Sequence, residues 1–249
     1  MRRIAPLLLF VASTAVLGAC SRRSPLLEPT PEELQTPGPD SFRVALQTTR
    51  GPVLVVAHRD WSPYAADRFY FLVTHGYYDD AYFFRVVKGY VAQWGISGNP
   101  AVNLAWRHRD LLDEPVMRSN LRGTIAFARA GPQTRGVQLY VNYANNTKLD
   151  TLNGFGFPPF AQVIQGMDAL DSLYSGYGNA PSQDSIERDG NAYLKRKFPR
   201  LDHILTARVT EAWGDTLTAN MSLNRGGFGP SFRGRRGRGG DGDGDGGRR

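Results

Sequence analysis

The chain has 249 residues, 41% of them hydrophobic and 21% charged, the composition of a globular protein with enough apolar side chains to build a core. A formal net charge of +7 leaves nucleic acid, an anionic surface or no specific partner open until the charge is located. A single cysteine excludes an intrachain disulfide and a cysteine metal site, and His58, His75, His108 and His203 lack ligand spacing, so neither metal nor cofactor is expected.

Arg2 and Arg3 precede an almost wholly apolar run, 4–19, too short and too rich in small residues at its end to span a bilayer. It reads as a secretion signal over 1–19. The run closes on Leu17-Gly18-Ala19-Cys20, which resembles the bacterial lipobox, whose cysteine is lipidated and becomes the mature amino terminus. An ordinary signal with an incidental cysteine is the alternative. Acyl chains on Cys20 would hold the protein on a membrane, with the outer membrane facing the periplasm as the expected place. Residues 20–41 contain five prolines and are expected to form an extended tether with a reach of about 65 Å.

The folded part is expected over 42–214. Residues 42–47 and 53–56 are β-rich and flank Thr48-Thr49-Arg50-Gly51-Pro52, a hairpin pattern. Ser62-Pro63 supplies a cap and a first-turn proline, Ala65, Phe69, Leu72 and Val73 follow at helical spacing, and Gly76 stops the helix. Short aromatic or β-branched runs follow at 82–87, 90–94, 123–128, 137–142 and 160–164. A second helix is expected at 167–173 and a last strand at 204–209. Many short strands with two clear helices indicate an antiparallel barrel or sandwich. Residues 174–200 read as an insertion with a short helix near 192–197.

Beyond residue 214 a disordered tail is expected. Seven arginines from Arg225 to Arg249 face only Asp241, Asp243 and Asp245, so much of the net charge lies there. Contact with an anionic surface is one reading and a solvated tail without a partner is another; a secreted protein gives no reason to expect nucleic acid. Asp241-Gly242-Asp243-Gly244-Asp245-Gly246 looks like the opening of a calcium loop but lacks the twelfth-position acid.

The sequence contains no nucleophile elbow, phosphate-binding glycine loop or zinc-protease helix. What remains is a pattern on strands. Side chains two apart share a face, which pairs Arg85 with Val87, Val91 with Gln93, and Gln138 with Tyr140. Each strand thus offers one face mixing a long polar group with an apolar neighbour, as a binding groove requires.

At these residues the chain resembles the cyclophilin family of peptidyl-prolyl isomerases, over roughly 42–213. Phe83-Phe84-Arg85-Val86-Val87-Lys88-Gly89-Tyr90-Val91-Ala92-Gln93 is similar to the family's Phe-His-Arg-Ile-Ile-Pro-Gly-Phe-x-x-Gln signature. Ala128-Arg129-Ala130-Gly131-Pro132-Gln133-Thr134-Arg135-Gly136-Val137-Gln138-Leu139-Tyr140 resembles the segment carrying its Ala-Gly-Pro-x-Thr-x-x-Ser-Gln-Phe-Phe core. The resemblance implies an eight-stranded antiparallel barrel closed by two helices, a monomer acting on proline-containing polypeptides without a cofactor. Arg85 would be the catalytic donor to the prolyl nitrogen and Gln93 its orienting partner. Val87, Tyr90, Val91, Tyr140, Leu149 and Phe157 would line the proline site, while Ala128, Arg129 and Gln138 would hold the peptide backbone. The alternatives are a proline-peptide-binding chaperone with little turnover, and a scaffold whose basic tail does the binding. Several positions depart from the family: Phe84 replaces a histidine, Lys88 a proline and Trp94 a glycine. Lys148 stands where many members have a tryptophan that contacts cyclosporin, and Phe157 is the nearest equivalent of a pocket histidine.

Overall fold

The computed structural model describes residues 23–214. The signal run, Cys20 and the tail from 215, with its calcium-like Asp/Gly stretch, lie outside the described residues. No helix among those described is long and apolar enough to cross a membrane.

In chain order the elements are α1 (Pro31–Gln35), β1 (Ser41–Thr48), β2 (Gly51–His58), α2 (Pro63–Thr74), β3 (Ala81–Tyr82), β4 (Arg85–Val87), β5 (Val91–Trp94) and α3 (Pro100–Trp106). They continue with β6 (Thr124–Phe127), β7 (Leu139–Asn142), β8 (Pro159–Gln165), α4 (Met167–Asp171), α5 (Gln183–Asp189), α6 (Asn191–Lys197) and β9 (His203–Trp213). All strand pairs are antiparallel, in the order β3-β9-β1-β2-β8-β6-β7-β5-β4. The two outer strands, β3 and β4, are separated in sequence only by Phe83 and Phe84, so one chain segment joins both edges and closes the sheet. The nine strands among the described residues are therefore the expected eight with one broken at this crossing.

Alternation along β1 buries Phe42, Val44, Leu46 and Thr48, and β2 answers with Val53, Val55 and Ala57. These meet α2 through Phe69 and Leu72, and Phe69 packs against Phe42 and Phe160. Helix α4 lies against β2. Gly76, at φ +72°, ends α2 in the left-handed conformation that glycine adopts without a Cβ penalty, and its N–H donates to the Val73 carbonyl.

Three sequence expectations need correction. Ser62 occupies the N-cap of α2 but its side chain makes no cap bond. Its hydroxyl donates instead to Glu114, whose carboxylate accepts the N–H groups of Tyr64 (2.7 Å) and Ala65 (3.3 Å) and pairs with the fully buried Arg135 at 3.0 Å. A distant carboxylate therefore caps the helix, and its charge suits the helix's positive end better than a hydroxyl does. Second, residues 23–41 are not a free extended tether. Leu26 and Leu34 pack on the core, Trp106 Nε1 donates to the Leu26 carbonyl (2.9 Å), and Gly38 N–H donates to Asp67 (2.9 Å). This segment lies along α2, whose Arg68 is buried elsewhere on the helix, with its guanidinium over the Trp106 ring at 5.1 Å and donating to the Arg109 (2.6 Å) and Gly136 (3.1 Å) carbonyls. Burial pushes Arg68 down to about 10. Third, α1, α3 and α5 join the expected helices; each has five to seven residues, too few for a visible periodicity.

Glu114→Ala removes the cap of α2 and leaves Arg135 buried without its anion. It is expected to lower unfolding free energy in urea by about 3–5 kcal/mol, against about 1 kcal/mol for Ser62→Ala.

Candidate active site

Strands β4, β5 and β7 lie side by side, with Arg85 opposite Gln93, Gln93 opposite Tyr140, and Val87 opposite Val91. This register places the mixed faces expected from the sequence next to one another. Arg85 Nη1 donates to Gln93 Oε1 at 3.3 Å, and Gln93 Nε2 donates to Gln138 Oε1 at 2.9 Å. Arg85 also lies 5.7 Å from the Tyr90 ring centroid, a cation–π distance.

Beside this polar row is an apolar floor formed by Val91, Ala126, Tyr140 and Leu149, flanked by Tyr90, Ala128 and Phe157. The Tyr140 and Phe157 rings meet edge to face at 6.0 Å. A cavity of about 280 Å³ opens here, lined by Arg85, Tyr90, Val91, Gln93, Ala128, Arg129, Tyr140, Leu149 and Phe157, nine of the residues singled out in the sequence. Gln138 instead lines a neighbouring cavity of about 310 Å³ that shares Gln93, Ala128 and Arg129 with the first. Val87 keeps its register against Val91 but lines neither cavity.

Arg129 forms the divide between the two cavities. Its side chain is fully buried, its Nη1 pairs with Asp113 at 2.6 Å, and its guanidinium lies 3.8 Å from the Phe155 ring centroid. Burial outweighs the attraction of Asp113 and holds its pKa below the ordinary value. Burial likewise pushes the Tyr140 phenol well above its usual range, with Tyr90 and Asp150 adding to the effect. Phe157 is half-buried and gives the altered side of the groove an aromatic wall, while Lys148 is exposed and lines neither cavity.

Four residues of the site were not legible in the sequence. Asn120 is fully buried, accepts from the Tyr140 hydroxyl (2.7 Å), and donates to the Phe157 carbonyl and Asp150, each at 2.8 Å. It therefore ties the proline-side wall to the barrel. Leu152 adds an apolar edge to the smaller cavity. Asn179 and Gln183, from the segment expected as an insertion, reach the groove: Arg85 Nε donates to Asn179 Oδ1 at 2.5 Å and Gln138 Nε2 to Gln183 Oε1 at 3.0 Å. Polar residues in loops carry no pattern that separates these from ordinary solvated positions.

Phe84, beside Arg85, is almost completely buried. It belongs to a second cluster with Tyr82, Ile96, Ile186, Leu194 and Leu201. The phenyl ring that departs from the family signature is therefore part of the seat on which α5 and α6 rest.

Comparison with known proteins identifies relatives of the chain and of its fold. Residues 43–189 match the family described as "Cyclophilin type peptidyl-prolyl cis-trans isomerase/CLD". The chain is 31% identical over 144 residues to peptidyl-prolyl cis-trans isomerase CYP18-1 of Arabidopsis thaliana, covering 55% of this chain and 88% of that protein. It is 28% identical over 141 residues to peptidyl-prolyl cis-trans isomerase B of Escherichia coli strain K12, covering 52% and 82%. A Cryptosporidium parvum cyclophilin type peptidyl-prolyl cis-trans isomerase has the same fold, with a TM-score of 0.51 at 21% identity over 69% of this chain and 98% of that one. A second structure of that protein, obtained in the presence of the dipeptide Ala-Pro, gives a TM-score of 0.51 at 22% identity over 68% and 99% of the two chains.

Proposed function

This chain belongs to the cyclophilin-type peptidyl-prolyl cis-trans isomerase family, and from that premise we propose that its groove accelerates rotation about X-Pro bonds in exported polypeptides, with Arg85 as the catalytic donor. The observation that carries this reading is a guanidinium held at the rim of an apolar cavity by an amide that is itself held. The Arg85–Gln93 and Gln93–Gln138 bonds bring the donor beside the Val91, Tyr140, Leu149 and Phe157 surface that suits a proline ring.

The chemistry needs little else. Amide resonance sets a rotational barrier of about 18–20 kcal/mol. As the imide twists, the prolyl nitrogen becomes pyramidal and gains a localised lone pair. A fixed donor near that nitrogen interacts with the twisted state more strongly than with either planar state, which lowers the barrier. Arg85 commits two of its five N–H groups to Asn179 and Gln93, leaving donors for the substrate. Gln138 and the chain at Ala128 and Arg129 face the peptide backbone from the second cavity.

Export and anchoring complete the proposal. The apolar run ending at Cys20 supports lipidation there and placement in the cell envelope. Docking of Leu26 on Trp106 leaves only residues 21–25 between the anchor and the folded body. That stretch spans roughly 20 Å when extended, so the barrel would work close to the membrane surface.

Arg85→Ala is expected to lower kcat/KM for an Ala-Pro tetrapeptide on the order of 100-fold, and Arg85→Lys to restore little of it because one ammonium cannot serve Asn179, Gln93 and substrate together. Equal rates for wild type and Arg85→Ala would remove Arg85 from the mechanism. No histidine is among the described residues that line either cavity, and burial holds Tyr140 above its usual range. The wild-type rate is therefore expected to be flat from about pH 6 to 8, the interval in which histidine titrates; a sigmoidal profile there would point to another group. Cys20→Ala is expected to move the protein from the membrane fraction to the soluble fraction, and unchanged fractionation would argue against lipid anchoring.

A further inference from the structure

The segment between α4 and β9 is more than a surface excursion. Its helices α5 and α6 rest on Tyr82, Phe84 and Ile96 of the barrel through Ile186 and Leu194. Tyr177 packs edge to face on Tyr174 and Phe198, each at 5.0 Å. Polar bonds clamp the same body: Asn103 donates to the Glu187 carbonyl (3.2 Å), Asn191 N–H to the Gly98 carbonyl (3.1 Å), and Asn191 Nδ2 to the Asp80 carbonyl (2.9 Å). Gly190 makes the close approach possible, since a Cβ there would stand 2.1 Å from the Gly98 carbonyl oxygen.

This fixed body presents two side chains to the groove. Turns closed by Gly178 N–H to the Ser175 carbonyl (3.1 Å) and Ala180 N–H to the Tyr177 carbonyl (2.8 Å) bracket Asn179, whose oxygen accepts from Arg85 Nε at 2.5 Å. Gln183, in the first turn of α5, accepts from Gln138 and lines both cavities. Arg85 is half-buried on a long side chain, and its bond to Gln93 is long at 3.3 Å. One long bond leaves a planar guanidinium free to swing about that contact. A second acceptor at Nε, on another edge of the plane, fixes its orientation and reduces the rotamer freedom that an exposed arginine otherwise keeps.

We propose that Asn179 is a positioning residue for Arg85, and that the 174–200 segment is a built-in wall of the catalytic groove. The proposal rests on the reading of Arg85 as the donor. Asn179 does not touch the substrate's reacting atoms; it sets the plane of the group that does. The seat at Phe84 and the acceptor at Asn179 then form one device, because the ring next to Arg85 in sequence holds in place the loop that orients Arg85.

Two substitutions of similar size separate the acceptor from the shape. Asn179→Leu removes the oxygen, and Asn179→Asp keeps one. With the full chain and an Ala-Pro tetrapeptide, Asn179→Leu is expected to lower kcat about tenfold with KM within about twofold of wild type, the scale of one hydrogen bond to a charged group. Asn179→Asp is expected to recover kcat to within about threefold of wild type by the same measure. The Arg85 Nε–H resonance should broaden through faster solvent exchange in Asn179→Leu and stay sharp in Asn179→Asp. Wild-type kcat in Asn179→Leu, or equal losses in both variants, would overturn the positioning role while an impaired Arg85→Ala left the catalytic reading intact. Full activity in Arg85→Ala would overturn both.

Discussion

A guanidinium can donate hydrogen bonds but cannot accept one, and the groove takes its order from that restriction. Because Arg85 Nη1 donates, the oxygen of Gln93 must face it, which turns the Gln93 amide nitrogen toward Gln138. Gln138 then accepts with its oxygen and donates with its nitrogen, to Gln183. Three amides that could each flip are set in one direction by a single cation. The row runs from β4 to β5 and on to Gln138, the residue just before β7, so its spacing is inherited from the strand register, with Arg85 opposite Gln93 and Gln93 opposite Tyr140. Closing the sheet through Phe83 and Phe84 fixes that register, since both edges belong to one short segment.

The same crossing explains why this groove has an added wall. Phe83 points into the main core, where it meets Trp94 edge to face at 5.5 Å, and Phe84 points to the opposite side, into the cluster that seats α5 and α6. Phe83 and Phe84 lie between β3 and β4, where strict alternation lapses, and Arg85 opens β4 on the groove side while Val86 behind it joins Phe83 in the main core. A ring in place of the family's histidine is thus matched to an apolar partner set, Ile186, Leu194 and Leu201. On the other side of the groove Asn120 does comparable work with polar bonds, holding Tyr140 and Phe157 to one buried amide. The polar row is gripped from both flanks, by apolar contacts on one and hydrogen bonds on the other.

Strand faces were readable in the sequence because alternation has a period of two and survives in runs of three or four residues, which placed Arg85, Gln93, Val91 and Tyr140 correctly relative to one another. The same alternation placed Val87 on the groove side, but it pairs with Val91 at the strand end and lies outside both cavities. Loops offered no such rule. Asn179 and Asn120 look like any polar loop residues, and Gln183 like any polar residue at a helix start, until the fold brings them to the groove. The Pro-rich segment reads as free because Leu26, Leu27 and Leu34 form no apolar periodicity; the partners of Leu26 and Leu34, among them Trp106 and α2, come from distant parts of the chain. Glu114 was hidden for the same reason, since a helix cap contributed from fifty residues away leaves no local signature.

Turning X-Pro bonds over differs from merely holding them, and exchange spectroscopy on an Ala-Pro peptide at substoichiometric protein separates the two. Catalysis predicts cis–trans exchange cross-peaks that appear only with the protein, together with shifts in the side-chain amide resonances of Gln93 and Gln138. The uncatalysed exchange, at roughly 10–100 s, is too slow to produce them. Amide shifts without exchange cross-peaks would contradict the account and leave a proline-peptide-binding module in its place.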